Sequence, residues 1–204
     1  MARRTKEDAE KTRLAILDAA LEVFDEKGYS KTTLADISTR AGVTRGAVYW
    51  HFKDKVDILA KLKGQIDDEI EEILDEPTAP EELGSIDEMV DYIRNYFLLL
   101  ENDERYLKYF RMTKYKVEFI EEMQGIIDVE RKEQSEYLLL LEKSIKLLQK
   151  KGKASKSIDP ARSSKGIIAF AWGIIEMWVL ESGSITLSGD GFVMLNEYLD
   201  TMRP

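Results

Sequence analysis

The sequence predicts an all-α protein: a small helix-turn-helix domain followed by a larger helical body. Three observations predict it. Gly and Pro number only 12 and 4 among 204 residues, while Leu, Ile, Lys and Glu abound, a balance that favours helix. Apolar residues recur at helical rather than alternating spacing. The stretch Thr33 to Lys55 reads as two short helices joined by Ala41-Gly42-Val43, the layout that lays a second helix in the DNA major groove.

Taken in order, residues 1–8 read as a flexible arm. Glu10 to Lys27 places Leu17, Ala20, Leu21 and Phe24 on one helical face, and Gly28 follows where a helix stops. Thr33 can cap the second helix, with Asp36 three residues on as in a capping box; Leu34 and Ile37 point inward. Gly42 suits a turn needing a permissive backbone. Thr44 can cap the recognition helix, whose Val48 and Phe52 form its buried stripe. Asp54 and Asp57 open a fourth helix through Leu59, Leu62, Ile66, Ile70 and Ile73, unbroken until Pro77. Glu76-Pro77-Thr78-Ala79-Pro80 forms a hinge-like loop. Further helices follow over Ser85–Leu100, Asp103–Tyr115, about Glu118 to Lys151, Asp159–Ser182 and about Asp190 to Met202. Loops at Lys151-Gly152-Lys153 and Gly183 to Gly189 separate the later ones. This organisation divides the chain into domains 1–53 and 54–204.

Composition narrows the function. The absence of cysteine excludes disulfides and thiol chemistry and fits a reducing cytoplasm. The basic start Met1-Ala2-Arg3-Arg4 leads into no apolar stretch, so no secretory signal is expected. The most apolar segment, Gly166 to Leu180, contains Glu176 and is too short for a bilayer span, so no membrane partner is expected. Net charge is −9, but residues 1–63 carry +3 and the remainder −12. A basic front on an acidic body suits DNA binding confined to one end.

With Val48 and Phe52 inward, helical geometry turns Thr44, Arg45, Gly46, Tyr49 and Lys53 outward. Arg45 sits where recognition helices meet base edges, and its fork can engage guanine O6 and N7, worth ~1–3 kcal/mol of discrimination. Gly46 costs roughly 1 kcal/mol in a helix relative to Ala and makes sense if the backbone approaches DNA closely. Tyr49 can offer its ring to a thymine methyl or its hydroxyl to phosphate. Trp50 and His51 can donate N–H groups to flanking phosphates, and Lys55 and Thr33 can reach the same backbone from the starts of their helices. Each has a plainer explanation: Trp50 reads equally well as core, His51, the sole histidine, as structural, and Lys55 as a surface lysine. A metal site is not expected without cysteine or a second histidine, and no cofactor is expected.

As an ordered set these residues carry a resemblance. Ile16-Leu17-Asp18-Ala19-Ala20 with Phe24, Gly28-Tyr29, Thr32-Thr33, Asp36-Ile37, Ala41-Gly42-Val43 and Tyr49-Trp50-His51-Phe52-Lys53-Asp54-Lys55 resemble the DNA-binding region of the TetR family of bacterial repressors. The stretch from Ala41 to Lys55 resembles in particular its AcrR-like branch, which represses multidrug efflux pumps. The resemblance implies nine helices, three for DNA and six for ligand binding and dimerisation.

It implies further that the last two helices pair with those of a second subunit. The sequence adds its own reason: Gly166, Ala169 and Gly173 form a small-residue strip at i, i+3 and i+7, with Ile167, Phe170, Ile174, Met177 and Trp178 around it. A helix apolar on nearly every side is expected to be buried. A C2 homodimer would set two recognition helices ~34–36 Å apart. The family's ligand pocket lies among the middle helices, which here hold many aromatic and Met residues; Asp67, Ile70 and Phe110 match pocket-lining positions of efflux-pump repressors, and Asp67 and Glu118 could neutralise a cationic ligand. The implied partners are a palindromic double-stranded operator, a hydrophobic small-molecule effector and a second copy of the chain. Within the family an acyl-CoA or other metabolite could be the effector instead. A helical interaction module that binds no DNA would leave the recognition-helix residues unexplained, and an enzyme lacks support because no nucleophile stands beside a base and no Glu-x-x-His pair is present.

Overall fold

The computed structural model describes residues 6–75, 79, 81–117, 123–180 and 185–204. Among them are nine α-helices: α1 Lys6–Lys27, α2 Leu34–Arg40, α3 Arg45–His51, α4 Lys55–Leu74, α5 Ile86–Asn102, α6 Glu104–Arg111, α7 Gln124–Lys150, α8 Pro160–Leu180 and α9 Phe192–Asp200. Two π-helical turns, Met112–Lys116 and Leu187–Gly191, follow α6 and precede α9. The chain forms two compact units: residues up to Ile70 with Glu104–Ile127, and Glu71–Asp103 with Asp128–Pro204.

In the first unit, α1 buries Ile16, Leu17, Ala20 and Phe24, one stripe of a helix. Tyr29, Ile37, Val48, Ile58, Leu62, Ile66 and Met112 complete a core from which water is excluded; each large side chain so buried contributes about 1.5–3 kcal/mol. The helix starts are set by local chemistry. Thr33 accepts the Asp36 N–H while the Asp36 carboxylate accepts the Thr33 N–H, a complete capping box. Thr44 accepts the Ala47 N–H at 3.1 Å. Asp54 accepts the Asp57 N–H at 2.8 Å, and the Asp57 carboxylate accepts from Lys53 N–H at 3.0 Å. Gly28 and Gly42 stand at φ +78° and +66°, left-handed backbone that a side chain disfavours.

The second unit packs α5, α8, α9 and the Leu187–Gly191 turn together. Ser85 caps α5 by accepting the Glu88 N–H at 3.1 Å, and Asp159 caps α8 by accepting the Arg162 N–H at 2.8 Å. Glu101 of α5 accepts both the Leu187 and Ser188 N–H groups at 3.1 Å. This long-range carboxylate cap satisfies orphan donors at the start of the π-helical turn.

Five expectations need correction. Residues 6–8 are the first turn of α1 rather than arm; Glu7 and Asp8 favour a helix N-terminus, and Lys11 reaches back to Glu7 at 2.7 Å. The helix expected over Asp103–Tyr115 is α6 plus a π-helical turn, and the last helix begins at Phe192, after a second such turn. The segment expected to be too short for a bilayer is part of α8, whose 21 residues are, by length and composition alone, long and apolar enough to cross a membrane. Nor is α8 buried all round: Ala169, Phe170, Gly173, Met177 and Leu180 are exposed. Glu118, the hinge residues Glu76, Pro77, Thr78 and Pro80, and the Ser182 end of the expected α8 lie outside the described residues.

Candidate nucleic-acid interface

The helix-turn-helix is assembled from α2 and α3 and held against α1. Val48 and Phe52 face its core. The turn is closed by the Val43 N–H donating to the Ser38 carbonyl at 3.0 Å and by Gly42 N–H to Thr39 at 3.2 Å. Ion pairs tie α2 to α1: Lys27 meets Asp36 at 2.7 Å, and Arg40 meets Glu26 at 2.6 Å. The Lys27 ammonium, followed by the Thr33 hydroxyl and N–H, pulls the Asp36 carboxyl well below the usual carboxylate range.

On this frame the outward face of α3 is bare. Thr44, Arg45, Gly46 and Lys53 are exposed. Tyr49 is 61% and Trp50 72% exposed, so packing does not account for Trp50. A Cβ at Gly46 would meet only the Thr44 hydroxyl, at 3.8 Å, so nothing described within the chain demands glycine there. His51 is half-buried, with the Trp50 ring set edge-on to it, centroids 4.5 Å apart and planes at 88°. Thr33 is exposed at the start of α2. Lys55 has a post that its sequence position does not reveal: its ammonium donates to the Tyr29 carbonyl at 2.8 Å and to the Thr32 carbonyl at 3.0 Å, and stands 4.1 Å from the Tyr29 ring centroid. A charged donor on two loop carbonyls, backed by an aromatic face, fixes the α1–α2 connection.

The residues matched to a ligand pocket lie in the first unit. Asp67 of α4 accepts from the Tyr109 hydroxyl at 2.9 Å and pairs with Lys63 at 2.5 Å. Ile70 is half-buried and Phe110 of α6 is buried. The contact of Tyr109 with Asp67 joins residues 42 positions apart, a pairing that no local pattern discloses.

In the second unit the small-residue strip of α8 divides. A Cβ at Gly166 would collide with the Tyr198 hydroxyl of α9, so the chain itself fills that space. At Gly173 a Cβ would meet no described atom within 4 Å. Ala169, Gly173, Met177 (44% exposed) and Leu180 (66% exposed) continue as an open apolar stripe, with Phe170 beside it stacked on Tyr198 at 4.8 Å. Among the described residues no group of His, Asp or Glu could hold a metal ion.

Two capped helices around a left-handed glycine turn, presenting an uncovered arginine and two uncovered aromatics, define a helix-turn-helix protein. The model of the bacterial regulatory proteins of the tetR family matches residues 16–62. The HTH-type transcriptional regulator TtgR of Pseudomonas putida is 31% identical over an alignment of 207 residues, covering all of this chain and 97% of TtgR. The chain belongs to the TetR family of bacterial regulatory proteins, not to a family of enzymes. Its fold is shared with NalD, the secondary repressor of the MexAB-OprM multidrug efflux pump in Pseudomonas aeruginosa: TM-score 0.80, 26% identity, covering 96% of this chain and 98% of NalD. SmeT, the repressor of the Stenotrophomonas maltophilia multidrug efflux pump SmeDEF, matches with TM-score 0.75 and 27% identity over 97% of this chain and 93% of its own; it is also known as a complex with triclosan.

Proposed function

We propose that this chain is a cytoplasmic repressor that binds a palindromic operator as a homodimer and is released by a lipophilic small molecule. The observation that carries the reading is the α3 face, where Arg45, Gly46, Tyr49 and Trp50 are uncovered on a capped and ion-paired frame. Thr44, His51, Lys53 and Thr33 flank that face and supply phosphate contacts. The open stripe of Ala169, Gly173, Met177 and Leu180 receives the same stripe of a second copy, which puts α8 in a protein interface rather than a bilayer. Domain 1–53 reads DNA, and 54–204 holds the effector and dimerises.

The effector site is built around Asp67, Ile70 and Phe110. The efflux-pump relatives and the triclosan complex of SmeT favour a flat, apolar molecule. Binding there biases α4, on which Asp67 and Ile70 stand, and carries the paired reading helices out of register with the operator. The effector acts only as far as it prefers the released conformation. The test is operator affinity by fluorescence anisotropy on a duplex selected from random sequence, with and without lipophilic compounds, triclosan first. Affinity is expected to fall with at least one of them; identical affinity throughout sinks the effector reading, and no selected duplex sinks the operator reading.

A further inference from the structure

The C-terminus of α1 is closed by Lys116, 91 positions beyond Asp25 in the helix's last turn. The last regular bond runs from Gly28 N–H to Phe24 carbonyl at 2.9 Å, and Gly28 then turns left-handed. In a continuing helix the next bond would join Tyr29 N–H to the Asp25 carbonyl. Both halves of that broken bond go to Lys116. Its carbonyl accepts the Tyr29 N–H at 2.9 Å. Its ammonium donates to the Asp25 carbonyl and, at 2.7 Å, to the Asp25 carboxylate. Orphan groups at a helix end need partners, and a cation there also complements the helix dipole.

Lys116 is delivered to this place by its own segment. It closes the π-helical turn after α6. Along α6, Arg105 pairs with Asp18, Lys108 with Glu22 at 2.8 Å and Arg111 with Asp25 at 3.5 Å. The ladder therefore climbs α1 in step and ends on Asp25, whose side chain is only 13% exposed. From there the path to the reading surface is short. Tyr29, held by Lys116 at its N–H, is held by Lys55 at its carbonyl. Thr33, which caps α2, follows four residues later.

We propose that Lys116 is a positioning residue for DNA recognition: by capping α1 from outside the helix-turn-helix, it fixes the direction in which the chain enters α2, and with it the aim of α3. This rests on the operator-binding reading above. Arg111 and Arg105 keep the cap in register, while Lys116 itself touches no DNA.

Full-length Lys116→Met, Lys116→Arg and Asp25→Asn test it, against a duplex that the wild type selects from a random-sequence pool. Affinity is measured across salt concentrations at a temperature well below each variant's melting point. Lys116→Met is expected to bind about five-fold or more weakly, with the slope of log K on log salt unchanged, and Lys116→Arg to restore the affinity. Asp25→Asn, which keeps the backbone carbonyl that the ammonium caps, is expected to lose less and serves if Lys116→Met does not fold. Unaltered affinity in a folded Lys116→Met or Asp25→Asn overturns the proposal. So does a slope reduced by about one, which would make Lys116 a phosphate contact. A wild type that selects no duplex overturns the operator reading itself, a result distinct from both.

Discussion

Arg45 occupies the first turn of α3 with its guanidinium in solvent, and its neighbours at 46, 49 and 50 leave it an open approach. Arg45→Ala should leave the fold and melting temperature intact while relaxing preference at one base position per half-site, a loss of ~1–3 kcal/mol of discrimination. Reselection of operators with the variant checks this; an unchanged preferred sequence would move the base reader elsewhere on the helix. Arg45 was legible in the sequence because the buried partners of its helix, Val48 and Phe52, fix which face is left over. Trp50 was not, since an aromatic in that run serves packing or contact equally well until its exposure is known. Lys55 shows the opposite limit. Its charge was visible, but the carbonyls of Tyr29 and Thr32 that receive it belong to a turn folded 26 and 23 residues away.

At the level of elements, the caps were the readable part. Thr33 with Asp36, Thr44, and Asp54 with Asp57 all act within four residues of themselves, so local spacing announces them. The π-helical turns and the carboxylate of Glu101 on Leu187 and Ser188 were not readable, because distant contacts settle them. The capping box also makes α2 sensitive to acid. Asp36 titrates lower in the folded chain than in the unfolded one, chiefly because of Lys27 and then Thr33. Its contribution is therefore complete above the ordinary carboxylate range and drains away as pH falls below about 4, where the unfolded chain takes up the proton first. Stability measured by denaturant titration from pH 6 to 2 should decline less steeply in Asp36→Asn, which starts lower. Parallel curves for the two proteins would show that the box carries no share of the acid response.

For the whole molecule, the charge asymmetry and the apolar C-terminal helices pointed to a DNA-binding end and a paired end, and no spacing rule could say which side of α8 stays open. The chain itself claims Gly166 through Tyr198 and leaves Ala169, Gly173, Met177 and Leu180 uncovered. Leu180→Lys combined with Met177→Lys should yield a helical, single-copy species by sedimentation, because two added charges per chain would have to be buried. That species should lose most operator affinity, since each half-site would then be held alone. Persistence of the dimer would put the seam on another face. Trp50 stands bare on α3. The other two tryptophans, Trp172 and Trp178, sit half-covered on α8, so the molecule contains a built-in optical beacon at its reading tip, whose emission should turn bluer as nucleic acid shuts out the surrounding water, with no dye attached.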